Sequence, residues 1–215
     1  FVNRSPVPLT STRRGSGLNF YRRGGSGPND GTMATYEEIG TVFAVVNRLA
    51  TSTAAADWKL YRKAASGIKE DRTEVTSHAA VDLWEKPNPF MPRRRFVEAC
   101  QQHIDLTGES DPLVSYAKGF RIPLELWPMR PDRITPIPDP YAFLKGYVYT
   151  SPDGVKVPLE LNECLPIMMP NPRDPYRGLG PIQAIMVDID SAKYSALWNR
   201  AFFENSAEPG GVIQV

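Results

Sequence analysis

The sequence predicts an α+β fold: a helical first half, a proline-rich β half, and a long protruding helix at the end. Three observations carry this. Apolar residues recur at helical spacing from Ile39 to Ala50 and again from Phe96 to Ile104. Twelve of the 21 prolines fall between Phe120 and Pro175, so strands there must be short or lie at sheet edges. From Pro181 to about Asn205 no glycine or further proline interrupts the chain. A helix of about 24 residues spans roughly 36 Å, too long for one layer of a compact domain of this size.

Composition sets wide bounds. At 215 residues, one principal domain with appendages is expected. The net charge of +1 gives no overall pull toward nucleic acid or a membrane. Charge is uneven, however, because Arg4, Arg13, Arg14, Arg22 and Arg23 face only Asp30 within residues 1–31. Cys100 and Cys164 are the only cysteines, which favours a reduced intracellular origin over a disulfide scaffold. No apolar run approaches membrane-spanning length, and no membrane partner is expected. Phe1 is not an initiator residue, and Val212 to Val215 read as a strand without a partner. The expectation is the first part of a larger polypeptide.

The elements follow in order. Residues 1–33 form a basic, flexible arm, since Ser, Thr, Gly, Pro and Arg offer too little apolar surface to offset ordering; it could contact an acidic neighbour such as DNA. The body spans residues 34–178. Thr35 with Glu38 predicts a capping box, opening a helix that buries Ile39, Val42, Phe43, Val46, Leu49 and Ala50 and runs to about Thr53. Asp57 to Arg62 predicts a short strand with Trp58 and Leu60 on one face. A helix from His78 to Trp84 ends before Pro87 and Pro89, and Pro92 starts the next, with Gly108 as its C-cap. Strands are predicted at Leu113–Tyr116, Leu124–Trp127, Arg133–Ile137, Tyr147–Thr150 and Val155–Leu161. The turn Ser151-Pro152-Asp153-Gly154 joins the last two. Phe43, Val46, Trp58 and Trp127 are the candidate core of this body. Residues 179–207 form the protruding helix, and residues 208–215 begin a further module.

No set of residues assembles an active site, and no catalytic activity, cofactor or metal is expected. His78 and His103 lack cysteine partners at zinc spacing. His103 and Asp105 lie about 200° apart on a helix and diverge, so His103 reads as a surface or capping residue. Arg177-Gly178-Leu179-Gly180 could cradle an anion on free amides, but without a following Lys-Ser/Thr it reads as a helix start. Glu37-Glu38 suits a helix N-terminus. Asp188 and Asp190 diverge like His103 and Asp105, and no Gly-x-Ser-x-Gly elbow occurs.

The last helix says more. Ile182, Ile185, Met186, Ile189, Ala196 and Leu197 fall within a sector of about 120°, and Lys193 and Arg200 lie near its centre. Asp188, Ser191, Ser195 and Asn199 lie opposite, beside Trp198 and Phe202. Two usable faces suit packing between copies in a ring. A cation on an apolar seam needs an acid partner or water. Lys193 and Arg200 are therefore expected to meet acids such as Asp188, Asp190 or Glu204 of a neighbouring copy, or to face a channel. Glu204 could also pair with Arg200 in its own helix.

Six fragments, in order, carry a family resemblance. Ile39-Gly40-Thr41-Val42-Phe43-Ala44-Val45-Val46-Asn47-Arg48-Leu49-Ala50 leads into Trp58-Lys59-Leu60-Tyr61-Arg62. Then come Leu83-Trp84-Glu85-Lys86-Pro87-Asn88-Pro89-Phe90-Met91 and Leu124-Glu125-Leu126-Trp127-Pro128-Met129-Arg130-Pro131-Asp132-Arg133-Ile134. The last two are Tyr176-Arg177-Gly178-Leu179-Gly180-Pro181-Ile182 and the run from Phe202-Phe203-Glu204-Asn205 to Pro209-Gly210-Gly211-Val212-Ile213. From about Tyr36 onward the chain resembles the portal proteins of tailed double-stranded DNA phages, in the large family typical of long-tailed phages. The segment Leu106 to Asp111 departs from the Gly-Asn-Ala-Tyr-like pattern common there.

The resemblance implies a ring, usually of twelve subunits, at one capsid vertex of the virion, through which DNA enters and leaves. The body would be the wing, residues 179–207 the first stem helix, and residues 208–215 the start of the clip. Implied partners are further copies of the chain, the major capsid protein, a head–tail adaptor, the terminase large subunit and non-specifically held double-stranded DNA. The host cytoplasm is the implied place of assembly. Another head–tail connector, or a metal-dependent enzyme acting on nucleic acid, are the alternatives.

Overall fold

The structure, a computed structural model, describes residues 30–117 and 122–204. The arm arginines Arg13, Arg14, Arg22 and Arg23, and residues 208–215, lie outside them. Helices α1 (Asp30–Glu38) and α2 (Gly40–Ala54) nearly form one helix. Ile39 between them is extended, with φ −122° and ψ 109°. The expected capping box does not form, because α1 already runs by Asp30 and places Thr35 inside a helix. The Thr35 hydroxyl instead donates back to the Gly31 carbonyl at 3.0 Å. On α2 the buried stripe is Val42, Val46, Ala50 and Ala54, at four-residue spacing. Val46 is therefore a core residue. Phe43 corrects the expectation: it is 48% exposed, about 100° around the helix from Val42, and meets the ring of Tyr36 at 5.0 Å.

The predicted strand after α2 shrinks to β1 (Tyr61–Arg62), paired antiparallel with β2 (Thr73–Glu74). The ladder does not reach Trp58, so no sheet face covers it. Trp58 is 50% exposed and leans on Trp84 with ring centroids 5.3 Å apart; it is not a core residue. Helix α3 (Ala79–Glu85) starts where predicted, its N-cap His78 accepting the Ala80 N–H on Nδ1 at 3.0 Å. The Pro87-Asn88-Pro89 turn then ties the helical half to the β half. Asn88 Oδ1 takes the amides of Phe90 and Met91, and its Nδ2 donates to the Leu126 carbonyl at 2.9 Å. Helix α4 (Arg93–Thr107) follows Pro92 and ends on Gly108, in the left-handed region at φ 77°. Its Phe96, Val97 and Cys100 are buried with Ala54, Val114 and Leu126.

The β half consists of small antiparallel ladders. After β3 (Glu109–Ser110), β4 (Leu113–Tyr116) pairs with β5 (Pro123–Trp127). Leu126 faces the core, whereas Trp127, expected there, points to the other face of the strand and is partly buried against Phe90, ring centroids 5.9 Å apart, its indole N–H donating to Glu125 at 2.9 Å. Strands β6 (Ile134–Asp139), β7 (Phe143–Thr150) and β8 (Lys156–Leu159) form a three-stranded sheet in that order. The prolines of this sheet sit on its edge strands, Pro136 and Pro138 on β6 and Pro158 on β8. The central strand β7 has none, since a missing amide is tolerated only at an edge. The turn after β7 is the predicted one, with Gly154 at φ 86° donating to the Ser151 carbonyl at 2.9 Å. Met129, Ile134, Tyr147, Tyr149, Leu159 and Cys164 form the core under this sheet. Finally β9 (Ile167–Met168) returns to pair with β3.

Helices α5 (Pro181–Ala184) and α6 (Met186–Glu204) complete the described chain. The run expected to be uninterrupted has one irregular residue, Ile185, at φ −109° and ψ 15°.

Candidate functional site: the root and free face of the last helix

The last helix leaves the body at a joint made of three backbone segments. Gly108 and the run Gly178-Leu179-Gly180 cross so closely that a Cβ on Gly108 would stand 2.3 Å from Gly180 N, and one on Gly178 would stand 2.0 Å from the Gly108 carbonyl oxygen. Beside this crossing lies a buried ion pair. Glu109, 2% exposed, holds the Arg177 guanidinium at 2.5 Å, and its other oxygen accepts the Gly178 N–H at 3.0 Å. Arg177 also donates to the carbonyls of Ile134 at 2.7 Å and Pro131 at 3.3 Å. The Gly180 amide donates to Gln183 Oε1 at 2.9 Å. Amides that a free loop would turn toward an anion are therefore occupied, and the segment is a helix start.

A second acid shares this interior. Asp111 is 4% exposed, and burial first, then the Glu109 charge, push its carboxyl up to about 7 against the opposing pull of Arg177. In the unfolded chain an aspartate titrates near 3.9. The folded state thus binds more protons between about pH 4 and 7, and the Asp111 contribution to stability falls as pH rises through that window. Asp111→Asn should match the parent near pH 4 and exceed it at pH 8 by on the order of 2–4 kcal/mol. Urea unfolding of both proteins across that range checks this; parallel pH profiles would refute it. His103 titrates oppositely in both proteins and cancels in the difference. Burial holds its imidazole down to about 4, with Asp132 opposing and Arg130 adding to the shift, and its Nδ1 has no hydrogen-bond partner. His103 is thus half-buried with its Nδ1 turned inward, which corrects the reading of it as a surface residue. Burial also pushes the Cys100 thiol up to about 11.

Beyond the joint, one face of the helix packs on the body. Ile182 and Ile189 are buried with Val42, Val46 and Leu106, and Met186 packs beside them. Lys193 continues that seam and pairs with Glu38 of α1. Arg200 pairs with Glu204 one turn on, at 2.7 Å, both well exposed, where such pairs add little. Lys193 thus meets Glu38 of its own chain, an acid expected at a helix N-terminus and not as its partner. Asp188 is exposed. On the far side Val187, Tyr194, Trp198 and Phe202 project from one stripe, 79%, 62%, 67% and 45% exposed; Trp198 and Phe202 stack at 5.6 Å. Single apolar residues on a surface are ordinary; here four of them, three aromatic, align along one face of the helix.

Among the described residues no three His, Cys, Asp or Glu side chains gather as a metal site, and no helix is long and apolar enough to cross a membrane. The chain matches the family described as phage portal protein over residues 40–215. It belongs to the phage portal protein family. Two curated relatives of this portal-family chain, each described as an uncharacterized protein, come from Rickettsia bellii (strain RML369-C) and Rickettsia felis (strain ATCC VR-1525 / URRWXCal2). They are 25% and 26% identical to it, across 84% and 85% of the chain and 46% of each relative. Among solved structures, a chain in the "Neck of empty GTA particle computed with C6 symmetry" superposes with a TM-score of 0.72 at 25% identity, covering 86% of this chain and 48% of that one. A chain of the "Virion of native gene transfer agent (GTA) particle" gives 0.69 at 26% identity, covering 85% and 47%. One from the "Neck of native GTA particle computed with C12 symmetry" gives 0.68 at 25%, covering 86% and 48%. The portal-family chain therefore spans just under half the length of the proteins it matches.

That Gly108 and the 177–180 segment meet, with Glu109 between them, was not legible in the sequence. Arg177 was visible only as part of a glycine-rich helix start, and Glu109 carried no pattern at all. The one available signal was the departure of Leu106 to Asp111 from the family pattern.

Proposed function

We propose that the chain is the wing and first stem helix of a portal subunit, which closes with further copies, twelve in number, into a ring at one capsid vertex. The ring conducts DNA during packaging and ejection and docks the terminase large subunit and a head–tail adaptor, within a shell of major capsid protein. The family match over residues 40–215 carries this reading. Similar chains in particle necks described with C6 and C12 symmetry support a ring. Residues 34–178 would form the wing and residues 179–207 the stem, whose bare stripe of Tyr194, Trp198 and Phe202 suits a neighbouring stem. Residues 208–215 would open the clip, and the arm bearing Arg13, Arg14, Arg22 and Arg23 would contact an acidic neighbour. The role is structural, in the virion, after assembly in the host cytoplasm.

Negative-stain class averages of the purified full-length protein test the ring directly. Closed rings are expected; a protein that stays monomeric at tens of micromolar would overturn the reading. Lys193→Ala combined with Arg200→Ala locates those cations. Weakened rings from a variant whose chain melts like the parent would place them at a subunit contact with Asp188 or Glu204 in addition to their pairs within the chain, whereas intact rings with altered DNA retention would place them facing the channel.

A further inference from the structure

Arg177-Gly178-Leu179-Gly180 has the composition of a hinge, yet every feature of its surroundings opposes hinging. Gly180 lies at φ −83°, ψ 153°, and Gly178 is not among the glycines with positive φ. Neither needs glycine for its backbone angles. Both are glycine because backbone from residues 106–109 occupies the space of a side chain. The Gly178 and Gly180 amides are bonded to Glu109 and Gln183. A free linker would have neither constraint.

The helix beyond is poorly held by its own packing. Ile182 and Ile189 are its buried residues, and from Tyr194 to Glu204 every residue except Leu197 is exposed. The 19 residues of α6 make a lever of roughly 28 Å. A 10° rotation at its root would move its tip by about 5 Å, from that same length. Seam packing and the Lys193–Glu38 pair hold only the first half of the helix, and one side chain ties the segment just before it to two separate parts of the body. Arg177 joins the strand-β6 side of the body, through the Ile134 and Pro131 carbonyls, to Glu109 at the end of α4.

We propose that Arg177 is the angle-setting lock of the last helix: its fork onto β6 and Glu109 makes the glycine-rich segment a rigid joint and fixes the direction in which the helix leaves the body. Arginine suits this because its planar guanidinium presents several donors in fixed geometry, whereas a lysine would contribute only a point charge. The consequence for assembly rests on the ring reading, since identical copies close only if each helix leaves its body at one angle. The lock itself does not rest on it.

The test is a distance measurement in the full chain. Spin labels at Lys145→Cys on β7 and Asn199→Cys on α6, both exposed, report the helix direction by double electron–electron resonance. Labelled chain is diluted in unlabelled chain, so that only distances within a molecule are read and the result holds with or without rings. Cys100 and Cys164 are buried and stay unlabelled. The parent should give one narrow distance. Arg177→Met, and the double variant Arg177→Met with Glu109→Gln, should each at least double the width of that distribution while keeping the parent's far-ultraviolet circular dichroism. The double variant is decisive, because it removes the lock without leaving a buried charge and should fold even if the single variant does not. A broad distribution in the parent, or one as narrow as the parent's in the folded double variant, would overturn the proposal.

Discussion

Gly108→Ala is expected to lower the unfolding free energy by about 2–5 kcal/mol, from two separate causes. At φ 77° the residue lies in the left-handed region, which costs an L side chain about 1–2 kcal/mol. The added Cβ would also stand 2.3 Å from Gly180 N and from Leu179 C. Both are backbone atoms of the helix start and cannot swing aside as a flexible side chain would, so overpacking adds roughly 1–3 kcal/mol. Gly154→Ala isolates the first cause. Gly154 has φ 86° but nothing within 4 Å of a built Cβ, so only the conformational cost of about 1–2 kcal/mol applies. Urea denaturation of both variants measures the difference. Equal losses would mean that the crossing of Gly108 with residues 178–180 yields freely and is not the tight joint described above.

Arg177→Met should cost about 3–5 kcal/mol at pH 7–8, because Glu109 is left buried without its counter-charge. The second variant sharpens the point. Glu109→Gln combined with Arg177→Met keeps both side-chain volumes and an acceptor for the Gly178 amide, and removes the stranded charge. Buried pairs replaced by neutral groups of similar size are often tolerated, so most of the loss should return in the double variant. A double-mutant cycle by thermal unfolding reads this as a coupling well above 1 kcal/mol, as expected for groups in direct contact. Additive effects of the two changes would refute the coupling. Recovered stability together with a broadened helix direction would separate what the pair does for folding from what Arg177 does for geometry.

Much of this architecture was legible because it is written in local chemistry. Proline density marked the β half as one of short or edge strands, and the structure places those prolines on the edge strands β6 and β8 and none on the central β7. The helix start at His78, the C-cap Gly108 and the turn ending in Gly154 depend on chemistry within a few residues, so their places could be read from the chain, although the capping by the His78 imidazole appeared only in the structure. The face of a large aromatic could not. Phe43 and Trp58 were expected in the core on size and spacing, but burial depends on what packs above a residue, and in the single chain neither is covered. The two-residue ladder of β3 and β9 was too short to show any pattern. Glu109 and Gly178 stand 69 residues apart, and neither neighbourhood hints at the other.

The sequence by itself therefore determined the order of the main helices and longer strands, the α+β class, the long terminal helix and, through six fragments in order, the portal family. These follow from periodicity, capping and turn chemistry, all of which act over a few residues. Only the tertiary structure decided how little of the last helix's apolar seam its own body covers, that Lys193 finds Glu38, and that the glycine-rich segment before the helix is a tight joint. Those outcomes depend on close approach and on charge in a low-dielectric interior. Such effects exist only once distant segments have been brought within a few ångströms of each other.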